Sequence, residues 1–332
     1  MKLKGLCILS AFAGCTLGLS ATTHAAETFC SDYDAVQSAP TLNKPAQRNF
    51  RNWGNRYLSW VHRPFHMVHD QIVREGSAAT IVGKFDYSSV LHKDLENEDV
   101  HVYLYGTGSQ NWEYLGEHRT NRDGKISVNV QKPQGDYVVR MVVEGDHSEA
   151  IGYLTVVAEG RKAVLFDIDG TLTLSDFEGV GDYLGIDNAD MHNYADDVVW
   201  EYVSKGYQIV YLTGRGYWQA KTTRDWFNRN GLFGWHLRTD ANQDNPIKPD
   251  TQQYKTDYIN YLKNDVGLDI VRAYGNADTD VRAYAAAGIP PSDTYIIGEH
   301  AGMDGTNAVE GDYSLHYVEV AQPASEAGCS WR

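Results

Sequence analysis

Two periodicities divide the chain. From about Ala79 to Val157, short apolar runs recur, and several alternate apolar with polar positions. Thr80–Phe85, Val100–Tyr105, Ile126–Val130 and Tyr137–Val143 are of this kind, separated by turn signals such as Asn121-Arg122-Asp123-Gly124 and Gln134-Gly135-Asp136. Period-2 alternation broken by Gly, Asn and Asp predicts a small antiparallel β-sandwich. From Arg161 onward the pattern changes. Apolar strands at Lys162–Ile168, Gln208–Leu212, Ile270–Tyr274 and Tyr295–Gly298 alternate with helical stretches at Asp190–Lys205, Tyr217–Arg229, Lys255–Asp265 and Asp280–Ala287. Strand–helix alternation predicts a parallel sheet covered on both faces, with ligands beyond the carboxyl ends of its strands.

Those carboxyl ends hold the chemistry. Val164-Leu165-Phe166-Asp167-Ile168-Asp169-Gly170-Thr171 is a buried strand running into two aspartates spaced by two. That spacing aims both carboxylates the same way, which is costly unless a cation joins them. Gly170 permits the sharp turn that follows. One carboxylate can attack a phosphoryl group while the other handles the proton of the leaving oxygen. The strand Ile209–Leu212 ends in Thr213-Gly214-Arg215, where a hydroxyl and backbone N–H groups can take phosphoryl oxygens. Arg215 either adds charge there or pairs with an acidic neighbour.

These motifs resemble the haloacid dehalogenase superfamily of phosphotransferases. The fold expected is a Rossmann-like α/β domain preceded by the sandwich. The resemblance implies that Asp167 is the nucleophile, Asp169 the general acid/base, and Thr213, Gly214 and Lys255 the phosphate-binding residues. Lys248 is the runner-up to Lys255. A Mg2+ ion would be held by Asp167, Asp169 (through its main-chain oxygen), Asn276 and Asp280, with Asp278 as an alternative. An amide at Asn276, where the superfamily often has Asp, is a neutral oxygen ligand. More narrowly, Asp167 to Asp176 and Gly275-Asn276 to Asp280-Val281 and Tyr284 are similar to the lipins, which are phosphatidate phosphatases. They are also similar to the lipin-like domain of the membrane-associated phosphatidylinositol transfer proteins. Leu212-Thr213-Gly214-Arg215 departs from the Ser-Ala-Arg type of the lipins. The spacings from Asp167 to Thr213 and from Thr213 to Lys255 hold about one strand–helix unit each, leaving no room for a large cap over the site.

The resemblance implies a phosphomonoester phosphatase, with phosphatidate or a related phospholipid as substrate. A broad phosphatase on soluble esters and a phosphatidate-binding module without turnover are the alternatives.

The chain begins with Lys2 and Lys4, an apolar run from Leu6 to about Leu19, and small residues through Ala25-Ala26. This pattern predicts an export signal over 1–26, hence a periplasmic or extracellular protein. Acylation at Cys15 is the alternative. Domains are then expected at 27–75, 76–158, 159–322 and a tail at 323–332. Beyond the leader only Cys30 and Cys329 remain, and in an oxidising compartment they are expected to pair.

Net charge sharpens one further point. The chain carries 44 acidic and 29 basic residues, a formal −15, which argues against nucleic acid as a partner. The exception is Lys44 to Arg63, with Lys44, Arg48, Arg51, Arg56 and Arg63 and no acid. On a helix, Phe50, Trp53, Tyr57, Trp60 and Val61 fall within a wedge of roughly 100° opposite the arginines. The stretch either contacts a membrane or packs on the acidic body. His62, His66 and His69 have helical spacing broken by Pro64 and read as structural.

Overall fold

The computed structural model describes residues 31–87, 93–174, 189–232, 236–240 and 251–329. A short helix α1 (Tyr33–Gln37) and the helix α2 (Trp53–Val61) come first. The sandwich follows. One sheet joins β1 (Met67–Val68), β3 (Ala79–Lys84) and β8 (Lys125–Val130). The other joins β2 (Gln71–Arg74), β10 (Glu149–Val157), β9 (Gly135–Val143), β6 (Asp99–Gly106) and β7 (Glu113–Arg119) in that spatial order. A hairpin of β4 (Asp86–Tyr87) and β5 (Lys93–Asp94) lies at one end.

Alternation works as expected in β8, where Ile126, Val128 and Val130 point inward and Ser127 and Asn129 outward. In β9 the alternation disappears because both faces are covered. Val139, Met141 and Val143 fill the sandwich core, while Val138 packs with the neighbouring α/β core. A near-continuous apolar run is what such a strand requires.

Four residues after β10 the chain enters β11 (Lys162–Phe166), the middle of a six-stranded sheet. Its partners are β12 (Gln208–Gly216), β13 (Leu237–Asp240), β14 (Asp269–Gly275), β15 (Thr294–Ile297) and β16 (Asn307–Val309). The order is β13-β12-β11-β14-β15-β16, and every pairing is parallel. Along β11, Val164 and Phe166 face one apolar core and Ala163 and Leu165 the other. Helices α3 (Ala195–Ser204), α4 (Ala220–Arg229), α5 (Thr251–Tyr261), α6 (Asp278–Ala286) and α7 (Ser314–Ala321) complete the domain.

The helix expected from Asp190 starts only at Ala195, because Tyr194 before it takes a left-handed φ of 63°. The stretch expected from Lys255 starts four residues earlier and loosens into a wider turn over Leu262–Val266. Strands β13 and β16 and helix α7 have no strong sequence signal, being short or mixed in pattern.

Asp70 joins the two halves. Its carboxylate accepts from Arg224 Nη2 (2.6 Å) and from the backbone N–H groups of Tyr153 and Leu237 (both 2.8 Å). Burial pushes its pKa up, and Arg224 opposes that shift. Cys329 is disulfide-bonded, and its expected partner Cys30 lies outside the described residues. Residues 175–188 and 241–250, which include Asp176, Lys248 and the segments where a cap would be inserted, also lie outside them. Among the described residues, no helix is long and apolar enough to cross a membrane.

Candidate functional site

The parallel sheet brings Asp167, Asp169, Thr213, Lys255, Asn276 and Asp280 to one place. Asp167 follows the last residue of β11, and its N–H donates to Tyr274 O (3.0 Å) on the adjacent β14. Its side chain is completely buried. Lys255 Nζ donates to Asp167 Oδ1 (2.8 Å), and Thr171 Oγ1 donates to Oδ2 (2.9 Å). Lys255 also donates to Asp280 Oδ1 (2.7 Å), so one buried ammonium spans two buried carboxylates.

Asp280 does a second job. Its Oδ2 accepts from the N–H groups of Asn276 (3.1 Å) and Ala277 (3.2 Å), capping the first turn of α6. With both oxygens so engaged, Asp280 holds Lys255 and the helix start. Asp278, the alternative ligand, instead pairs with Arg282 on the same helix (2.8 Å).

Asp169 points at β12. Arg215 grips it with Nε on Oδ2 (2.8 Å) and Nη2 on Oδ1 (2.6 Å), and Thr213 Oγ1 adds a contact of 3.2 Å. Both groups of this two-point pair are buried. Arg215 therefore pairs with an acidic neighbour, the second of the two roles its sequence context allows. Its Nη1 donates to Thr223 Oγ1 (2.8 Å), which locks the fork in place. Gly214 lies between these two residues and is half-buried.

Gly170 is required. Its φ is +72°, and an added Cβ would fall 2.0 Å from Asn276 Nδ2. Asn276 is consequently pressed against the turn, and its Oδ1 lies 3.2 Å from Thr171 Oγ1.

Charge and donor type decide what the cluster accepts. Among the described residues, the buried carboxylates of Asp167, Asp169 and Asp280 meet the buried cations of Lys255 and Arg215. Carboxylates gathered this closely in a buried site suit a bound cation. Asp167 and Asn276 meet on one side of Thr171 and offer the hard oxygens that a magnesium-sized ion takes.

The walls of the site include residues that local sequence does not reveal. Tyr313, from just before α7, donates to Thr171 O (3.1 Å). Burial raises its phenol pKa strongly, and the Asp167 charge adds to that. His192 stacks edge-on to Tyr313, with ring centroids 6.1 Å apart, and burial lowers its pKa. Thr171 lies inside the Asp-x-Asp-Gly-Thr motif and could have been found there. Tyr313 and His192 reach the site through tertiary packing.

The three sequence histidines do not gather. His66 accepts from the Asp86 N–H and bonds Ser148, and burial takes its pKa to about 4. Burial takes His69 to about 3.

Comparison with known proteins places both halves. Residues 64–156 match the PITM 1-3 β-sandwich domain, and residues 164–298 match the PITM 1-3 LNS2 domain. Over these domains the chain is homologous to the membrane-associated phosphatidylinositol transfer proteins. Across 241 residues, 70% of this chain, it is 35% identical to membrane-associated phosphatidylinositol transfer protein 1 of Homo sapiens. Over the same length it is 30% identical to protein 3 of Mus musculus and 28% identical to the protein retinal degeneration B of Drosophila melanogaster. The match covers 18%, 23% and 18% of those relatives, so the chain spans less than a quarter of their length. The LNS2 domain is lipin-like and phosphatase-like.

These relatives overturn two expectations. They are named for membrane association and phosphatidylinositol transfer, which corrects the reading of this chain as a secreted Mg2+-dependent phosphatase. They equally correct the export signal and the periplasmic or extracellular location. The leader and the Cys15 alternative fall on residues outside those described. Both expectations rested on short local motifs, and a paired-aspartate turn does not distinguish a fold that hydrolyses phosphate esters from one that handles phospholipids.

Proposed function

We propose that the carboxyl end of the parallel sheet binds the phosphomonoester headgroup of a phospholipid, in a haloacid dehalogenase-type domain. One observation carries the reading: Lys255 is fixed between Asp167 and Asp280 at the strand ends. Lys255 supplies positive charge, and the Thr213 hydroxyl, which donates to Asp169 (3.2 Å), would turn to a phosphoryl oxygen on binding, with Gly214 next to it in the chain. The Asp167 carboxylate would repel a phosphate dianion brought against it. A magnesium ion held by Asp167 and Asn276, near the main chain of Asp169, would offset that charge and orient the headgroup.

The test is calorimetry with dioctanoyl phosphatidate and, as a phosphodiester control, dioctanoyl phosphatidylcholine. Wild type binds the monoester in magnesium and loses it in a chelator, and Thr213→Ala weakens it by roughly tenfold. Equal affinity for both lipids, or binding indifferent to chelation and to Thr213→Ala, sinks the proposal.

A further inference from the structure

Helix α2 carries its aromatic residues outward. Trp53 and Trp60 are 82% and 83% exposed and Tyr57 is 55% exposed, with Val61 beside them. The segment packs on the body through its other face, and Glu98 sets which face that is. The buried Glu98 carboxylate accepts from the N–H groups of Arg51 (2.8 Å) and Asn52 (2.9 Å) and from Asn55 Nδ2 (2.8 Å). Asn55 and Leu58 therefore face the sandwich, and the aromatic edge is turned away from it. Phe50 precedes the helix and packs on Gly145, so it anchors the segment and leaves the outward face to the two tryptophans and Tyr57.

The basic residues divide in the same way. Lys44, Arg48 and Arg51 pair with Glu149, Glu144 and Asp99 on the body. Arg56 and Arg63 are exposed on or beside the helix. A groove of about 1000 Å³ runs along this edge, lined by Phe50, Trp53, Arg56, Tyr57, Trp60 and Asp146 among others. Its acid, Asp146, already accepts from Tyr87 (2.6 Å) and Ser148 (2.6 Å).

We infer that α2 is an interfacial helix that seats the chain on an anionic phospholipid surface. Trp53, Tyr57 and Trp60 enter the headgroup layer, and Arg56 and Arg63 meet lipid phosphates. Amphipathic aromatic rings flanked by guanidinium groups suit that boundary, where one end of each side chain is apolar and the other wet. The rest of the chain is strongly acidic and is repelled by the same surface, so the contact also sets orientation. The inference goes beyond the headgroup reading and does not depend on it.

Vesicle flotation with the full chain tests it, using phosphatidylcholine alone and phosphatidylcholine with phosphatidylglycerol, an anionic lipid that lacks a phosphomonoester. Wild type floats with the anionic vesicles, and its tryptophan emission shifts to the blue. W53A/W60A lowers the partition coefficient by on the order of tenfold or more, and R56E/R63E lowers it with a weaker salt dependence. Undiminished flotation of W53A/W60A overturns the inference. So does a sedimentation result in which wild type is a dimer and W53A/W60A a monomer with unchanged vesicle binding, which assigns the face to a second copy. Soluble dioctanoyl phosphatidate separates this from the sheet site. W53A/W60A keeps that binding, whereas Thr213→Ala weakens it and still floats. Both tryptophans are exposed, so the variant unfolds at the same urea midpoint as wild type.

Discussion

Each half of the molecule buries a lysine, and the two are used differently. Lys84 in the sandwich donates to Asp94, which is 30% exposed, and to the Asp123 carbonyl (2.7 Å). Its charge is balanced one for one at a sheet end, and its partner still reaches water. Lys255 in the α/β half is shared by two carboxylates that are fully buried, with a third, Asp169, beside them on Arg215. A charge balanced locally tethers a loop. A cluster of fully buried charges costs desolvation, and this one stands at the end of parallel strands, where such sheets bind ligands.

The sharpest way to break this contrast is to remove each lysine. Lys255→Ala leaves Asp167 and Asp280 buried without their cation and lowers stability by roughly 3–5 kcal/mol. Lys84→Ala costs about 1–3 kcal/mol, because Asp94 can hydrate. Urea unfolding of both variants measures the difference, and equal losses would erase the distinction between the two clusters.

Acid treatment probes the buried neutral groups of both halves. His66 and His69 have pKa values of about 4 and about 3, and His236 lies well below the usual value, all through burial. In the unfolded chain they take a proton below about pH 6.5, whereas the folded chain resists it. Stability they confer is therefore lost as pH falls from 6.5 toward 4. Asp136, raised to about 6 by burial, and Asp70, raised for the same reason, work in the opposite sense over part of that range. With His192 and His316, also lowered by burial, the histidines outweigh the two aspartates, and the net loss by pH 4 is on the order of a few kcal/mol. Urea midpoints at pH 7 and pH 4 check the sign, and His69→Phe flattens the dependence.

The smallest effect isolates the turn of the site from its charges. Gly170→Ala forces a side chain into a left-handed conformation and against Asn276, at a cost of roughly 1–3 kcal/mol. It leaves every charge in place, so magnesium-dependent headgroup binding weakens while the acid response of the histidines is unchanged. Calorimetry on the refolded variant decides this.

Much of the architecture was legible because it is periodic. Strand β8 shows its inward face in its own alternation, and β11 announces a doubly covered strand by its unbroken apolar run. Asp167, Asp169 and Gly170 were legible because a single turn holds them at fixed spacing. Their surroundings were less so. Arg215 could have gone to a ligand or to an acid, and only the approach of β12 to β11 settles that it grips Asp169. Asp280 read as a metal ligand, and only the fold shows that it also holds Lys255 and the α6 turn.

What the sequence by itself determined was therefore local. It set where strands and helices form, which carboxylates share a turn, and which twenty residues are basic and aromatic without an acid. Tertiary structure decided which charges meet and which faces are left uncovered. Arg215 reaches Asp169 from another strand, and Tyr313 reaches Thr171 from beyond the last strand of the sheet. Glu98 turns α2 so that Trp53 and Trp60 face solvent. The physical reason is the same in each case. Periodicity and turn chemistry act between near neighbours, whereas the pairing of buried charge and the covering of apolar area depend on residues that only folding brings together.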